Sequence, residues 1–142
     1  MSTVKNSNLD VASVMLDLSF TPRISNRALL KEALDLMDEK RLGIICITDG
    51  FGKLEGVITD GDIRRMLTRV QKPFAALFND DVIEHAVKNP VTVNRLTPVS
   101  DAIATMGLKQ IWDLPVIDQN GNLEGLLHLH PAIEAILGVR NV

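Results

Sequence analysis

An internal repeat constrains this chain more than any single motif does. Leu54-Glu55-Gly56 recurs as Leu123-Glu124-Gly125, an offset of 125 − 56 = 69 residues. Asp49 and Asp118 stand at that same separation, and so do Met37 and Met106. A duplicated unit of this size governs the architecture, so the rest of the chain is read through it. Around Thr21-Pro22 and Asn89-Pro90 the register slips by about one residue.

Residues 1–9 are polar and read as a tail or linker end. Val11 to Leu18 puts Val11, Val14, Met15 and Leu18 on one helical face. Thr21 to Ile24 reads as extended. Ser25 or Asn26 is placed to cap an amphipathic helix carrying Leu29, Leu30, Ala33, Leu34, Leu36 and Met37. Gly43 follows its basic last turn, a usual stop. Ile44 to Thr48 is a β-branched run, expected to be a strand buried on both faces. Asp49-Gly50-Phe51-Gly52-Lys53 is a hairpin turn, residues 54–58 the returning strand, and a helix follows to residue 69.

The second half repeats this order. Residues 71–80, with Lys72-Pro73 and Asn79-Asp80, read as a linker. Asp81 to Val87 is expected to be a short helix, Val91 to Val93 a short strand and Pro98 to Lys109 a helix. Leu114 to Asp118 and Leu123 to Leu129 read as strands around the turn Gln119-Asn120-Gly121-Asn122. Pro131 to Leu137 is the closing helix, with proline in its first turn, and 139–142 a tail. The expected fold is α+β: repeats at 10–70 and 81–138, each a three-stranded sheet with helices packed on one side. Such a sheet cannot hide its second apolar face alone. Two copies packed through their sheets about a pseudo-twofold axis would, leaving two equivalent clefts suited to small ligands.

Composition narrows the function. An apolar fraction of 46% supports a buried core. A net charge of −3 argues against a general nucleic-acid surface. No apolar run is long enough to span a bilayer, and Met1 to Asn8 lacks a signal core, so a cytoplasmic location is expected. The single cysteine, Cys46, permits no intrachain disulfide and reads as a small buried hydrophobe.

The chemistry-bearing residues cluster at the strand–helix junctions. Thr59, Asp60 and Asp62 sit where a hydroxyl or carboxylate caps a helix's first N–H groups. Capping is the commoner use of such residues than metal binding or general-base work. Arg64 and Arg65 follow, either as a solvated face or as charge for a phosphate. His128 and His130, at i and i+2 of an expected strand, would share one side, as metal ligands must. With His85 and Cys46 remote, a polar lining role is favoured over zinc. Trp112 precedes a strand and is expected to pack against the other half. No P-loop, Gly-x-Gly-x-x-Gly or nucleophile triad is present, and no catalytic or metal-binding set is assigned.

The duplication, with Gly56, Thr59 and Asp62 in a Gly-x-x-Thr-x-x-Asp pattern and Leu114-Pro115-Val116-Ile117-Asp118 before Gly121, resembles a tandem pair of CBS domains, a Bateman module. Glu55 to Arg65 and Gly125 to His130 are similar to the C-terminal CBS pair of arabinose-5-phosphate isomerases. That resemblance implies a non-enzymatic regulatory pair, associated with a sugar isomerase catalytic domain and assembling as a homodimer. It implies no required cofactor, and a regulatory ligand of the AMP or ATP type or a CMP-sugar. Asp62 would take ribose hydroxyls and Thr59 a phosphate, with Arg64 and Arg65 adding charge. Ile24, Ile44 and Ile45 would line the base. The second cleft would use Val93, Asp113, Leu114, His128 and His130. There the Thr position is His128 and the Asp position is Pro131, so one competent cleft and one altered cleft are expected. A ligand-free dimerisation module is the alternative.

Overall fold

The computed structural model describes residues 9–138. Of the expected tails, 1–9 and 139–142, only Leu9 lies within them. In chain order the strands are β1 (Leu16–Asp17), β2 (Arg23–Ser25), β3 (Ile44–Thr48), β4 (Leu54–Thr59), β5 (Val87–Lys88), β6 (Asp113–Ile117) and β7 (Leu123–His128). The helices are α1 (Leu30–Lys40), α2 (Asp60–Arg69), α3 (Phe74–Phe78), α4 (Val99–Lys109) and α5 (Leu129–Leu137).

The chain divides into two compact units, Thr21–Pro90 and residues 9–20 with 91–138. These cuts differ from the 10–70 and 81–138 boundaries of the sequence repeat. The first unit holds a sheet in the order β2-β3-β4-β5, and the second a sheet in the order β1-β7-β6. The leading segment of each repeat therefore joins the sheet of the other repeat. Val82 is wholly buried with Leu30, Met37, Ile45, Ile47 and Ile58, while Val11 is wholly buried with Val99, Met106, Leu114 and Leu127. The first unit's sheet has four strands, not the three expected.

Those leading segments are also not the helices their apolar spacing suggests. Val11–Ser13 is a single 3-10 turn, followed by β1 and a second 3-10 turn at Leu18–Phe20. Val82–His85 is a 3-10 turn leading into β5. Eight residues carry too little period to separate a helix from a turn followed by a strand that buries the same side chains. Val91 to Val93 contributes only an isolated bridge, Val93 to Val116. The expected linker contains α3, whose Leu77 is buried.

The repeated Leu-Glu-Gly now has a physical reason. β5 lies antiparallel to β4 with Lys88 opposite Gly56, and β1 lies antiparallel to β7 with Asp17 opposite Gly125. A Cβ at Gly56 would stand 2.9 Å from the Val87 carbonyl oxygen, and one at Gly125 would overlap the Leu16 carbonyl oxygen. Only glycine admits a neighbouring backbone that close. The adjacent glutamates act alike too. Glu55 accepts two hydrogen bonds of 3.1 Å from Asn26 Nδ2, and Glu124 accepts one of 3.2 Å from Arg95 Nη1. Asp49 and Asp118 each close their hairpin by accepting two backbone N–H bonds on Oδ1.

Helix ends depart from expectation in two places. The N-cap of α1 is Leu29, not Ser25 or Asn26, and Glu32 reaches back to accept the Leu29 N–H at 2.7 Å. The left-handed residue closing α1 is Arg41 (φ 55°), matched by Gln110 (φ 56°) after α4. Gly43 instead admits the Asp60 carboxylate, which leaves no room for a Cβ there.

Gly125→Ala is expected to destabilise the fold by about 1–3 kcal/mol, since the obstructing atom is backbone and cannot rotate away. Gly107→Ala, where an added Cβ meets nothing within 4 Å on the exposed side of α4, should raise stability by up to about 1 kcal/mol. Chemical denaturation of both variants checks this; equal effects would contradict the close-approach explanation.

Candidate functional site

In the Thr21–Pro90 unit, β4 runs straight into α2. Thr59 has extended backbone (φ −112°) and is the N-cap, its Oγ1 accepting the Asp62 N–H at 3.2 Å. Asp62 Oδ2 in return accepts the Thr59 N–H and the Thr59 hydroxyl, each at 2.9 Å. This reciprocal cap satisfies donors that the first turn of any helix leaves open. The other carboxylate oxygen, Oδ1, accepts from Arg65 Nη2 at 2.7 Å. The Asp62 side chain is 16% exposed and that of Arg65 50%.

Asp60 is anchored separately. Its N–H donates to the Gly43 carbonyl at 3.0 Å, and its carboxylate lies so close to Gly43 that a Cβ there would stand 2.5 Å from Oδ2. A cavity of about 380 Å³ opens beside it between α1 and α2, lined by Met37, Arg41, Gly43, Asp60 and Ile63 among others. Neither Thr59 nor Asp62 lines it.

The corresponding junction in the other unit is built differently. His128 is the N-cap of α5 and makes no side-chain cap bond. Its Nδ1 pairs instead with Asp113 Oδ1 at 2.7 Å, across the strands from it. The aligned pair in the first unit is Ile44 opposite Thr59. His130 is not on a strand beside His128 as expected. It lies in α5, exposed, with Nε2 2.8 Å from Glu134. The shared side required for joint metal ligation is lost because β7 ends at His128. Pro131 occupies the first turn of α5, where the other unit has Asp62.

The structure thus gathers Thr59, Asp62 and Arg65 at one point, with Ile44 on the paired strand. Arg64 is exposed on α2, and Ile24 is half-buried on β2. Ile45 and Leu114 belong to the two hydrophobic cores, and Val93 packs against the second. Trp112 is 70% exposed rather than packed.

Sequence reading missed one polar cluster. Asp80 is held by Lys72 Nζ at 2.6 Å and by His85 Nε2 at 2.7 Å, with Glu84 near enough for the three acidic and imidazole groups to face one point. The ammonium already occupies Asp80 Oδ1, so the geometry is that of an ion-pair network. Its spacing follows no helical or strand period, which is why the sequence did not display it. The Asp80 carbonyl also accepts the Leu30 N–H at 2.8 Å, tying the cluster to the start of α1.

Comparison with known proteins agrees with this architecture. The CBS domain model matches residues 22–69 and 80–137, and the chain belongs to the CBS-domain family. A CBS domain-containing protein of Dictyostelium discoideum is 29% identical over 119 residues, covering 78% of this chain and 80% of that protein. Arabinose 5-phosphate isomerase KdsD of Pseudomonas aeruginosa is 31% identical over 132 residues, covering 89% of this chain but only 38% of the isomerase. Among solved structures, CBSX2 in complex with AMP superposes with a TM-score of 0.79 at 24% identity, covering 89% of this chain and 95% of that one. The chain carries a CBS pair, a regulatory module. Among the described residues no helix is long and apolar enough to cross a membrane.

The hydrogen bond from Lys72, and then that from His85, hold the Asp80 carboxyl below the ordinary carboxylate range. A carboxyl depressed on folding adds stability above its unfolded pKa, and that stability is lost as pH falls through the folded value. Asp80→Asn should therefore lower stability at neutral pH and flatten the acid limb below roughly pH 4. Denaturation midpoints at a series of pH values decide it; parallel curves for variant and parent would contradict the network.

Proposed function

We propose that this CBS pair is a ligand sensor that binds an adenosine-type nucleotide at the β4–α2 junction and shifts the conformational balance of a partner. The observation carrying this reading is the Asp62 carboxylate, mostly buried at the start of α2 beside the Thr59 hydroxyl. A carboxylate accepts two hydroxyls of a cis-diol well, and the positive end of a helix dipole favours a phosphate. The structural likeness to a CBS pair in complex with AMP supports the same ligand class. Regulation then requires that the ligand bind the partner's two states with different affinity.

The likeness to KdsD supports a sugar-phosphate isomerase as the regulated activity and a CMP-sugar as the second ligand class to test. The His128–Asp113 pair, unlike anything at the first junction, favours a different or absent ligand in the second unit. Homodimer formation is supported by exposed apolar side chains on the helices, Leu67, Leu108, Ile133 and Leu137. They also support the second reading, a dimerisation module with no ligand.

A thermal-shift panel of AMP, ATP, S-adenosylmethionine and CMP-sugars separates the readings: stabilisation by an adenosine compound favours sensing, silence across the panel favours assembly alone. Asp62→Ala is expected to weaken AMP binding by about 1–3 kcal/mol through loss of a charge-assisted bond. Calorimetry on the folded variant tests this, and unchanged affinity would reject the role of Asp62.

A further inference from the structure

The two oxygens of Asp62 are unequally committed. Oδ2 holds the cap of α2 through two bonds to Thr59. Releasing it would open the first turn of a helix. Among the described residues, Oδ1 is held by Arg65 alone. An ion pair with a half-exposed arginine is among the weaker contacts a protein makes. A sugar hydroxyl approaching Asp62 thus meets Oδ1 as the exchangeable position, and Arg65 is its present occupant.

The sequence makes room for this arrangement. A Cβ at Gly61 would stand 3.2 Å from Arg65 Nη1 and 3.3 Å from Nη2. The guanidinium therefore folds back over the backbone of the first turn of α2. That turn also lies at the positive end of the helix dipole. A cation is poorly placed there unless an anion accompanies it, and Asp62 supplies that anion.

We propose that Arg65 is an internal stand-in for ligand: it neutralises Asp62 Oδ1 until a ribose displaces it, and the released guanidinium then takes the ligand's phosphate, so that Arg65 sets the preference for phosphorylated nucleotide over nucleoside. This rests on the reading of Asp62 as the ribose acceptor. A nucleoside must break the Asp62–Arg65 pair and offers the guanidinium nothing in return. A nucleotide replaces that pair with a charge-assisted bond from Arg65 to phosphate, in the fork geometry suited to it.

The test is calorimetry with two probes, AMP and adenosine, on wild type, Arg65→Ala, Arg65→Lys and Arg69→Ala. Arg65→Ala should bind AMP about ten-fold or more weakly. It should bind adenosine about two- to five-fold more tightly, because the competitor for Oδ1 is gone. Arg65→Lys should retain part of the AMP preference, having charge without the fork. Arg69→Ala, a charge-matched change at the far end of α2, should leave the ratio of the two affinities as in wild type. Equal loss for both probes in Arg65→Ala would mean a structural role only, and an unchanged ratio would mean no contact with phosphate. Either result overturns the proposal while leaving nucleotide sensing intact. Failure of wild type to bind either probe would overturn the nucleotide reading itself, and this inference with it.

Discussion

Backbone proximity at two glycines underlies this structure. Gly56 and Gly125 sit in the returning strand of each hairpin, where a short strand from the other repeat runs too close for any side chain. That approach completes each sheet with a segment distant in sequence. It also carries Val82 and Val11 into the cores they help fill. Without it, β4 and β7 would keep an unpaired edge, an exposure that folded proteins avoid. Every other shared feature hangs on the hairpin so fixed: the aspartate-closed turns, the strand glutamates with their Asn26 and Arg95 partners, and the helices that start where β4 and β7 end.

On this duplicated scaffold the two junctions have separate chemistry. Thr59 and Asp62 build a closed reciprocal cap, with the other carboxylate oxygen of Asp62 held by Arg65. At the aligned positions His128 turns to Asp113, and Pro131 offers neither donor nor acceptor on its side chain. The helix start is kept in both, because Pro131 fits a first turn as well as an aspartate does. Only the first keeps the carboxylate that the proposed diol contact requires. Duplication followed by change at a few cap positions leaves the fold intact, since the cap contributes little beside the buried cores.

Much of this was legible in the sequence, and the limits have physical causes. The period of 69 located both hairpins and both long helices, because each has enough residues for alternation or helical spacing to register. Ile44 to Thr48 is buried along its whole length, as its unbroken β-branched run implied. The leading segments were misread as helices because a 3-10 turn and a two-residue strand bury Val11 and Val82 with the same spacing a helix would. Their transfer between sheets depends on non-local pairing, which no local pattern encodes; only the glycine of Leu-Glu-Gly hinted at it. At the site, the cap residues were visible from their types and positions. The strand end at His128, which separates it from His130, was not. The Lys72–Asp80–His85 network was hidden because its members come from irregular backbone around α3.

The proposed function makes the repeated frame asymmetric, with ligand held at one junction and not at its counterpart. Backbone amide NMR during AMP titration tests this. The account predicts saturable shifts centred on Thr59 to Arg65, at one AMP per chain, with residues 128–134 unmoved beyond small indirect changes. Shifts centred on residues 128–134, or equal responses at both junctions with two AMP per chain, would contradict it.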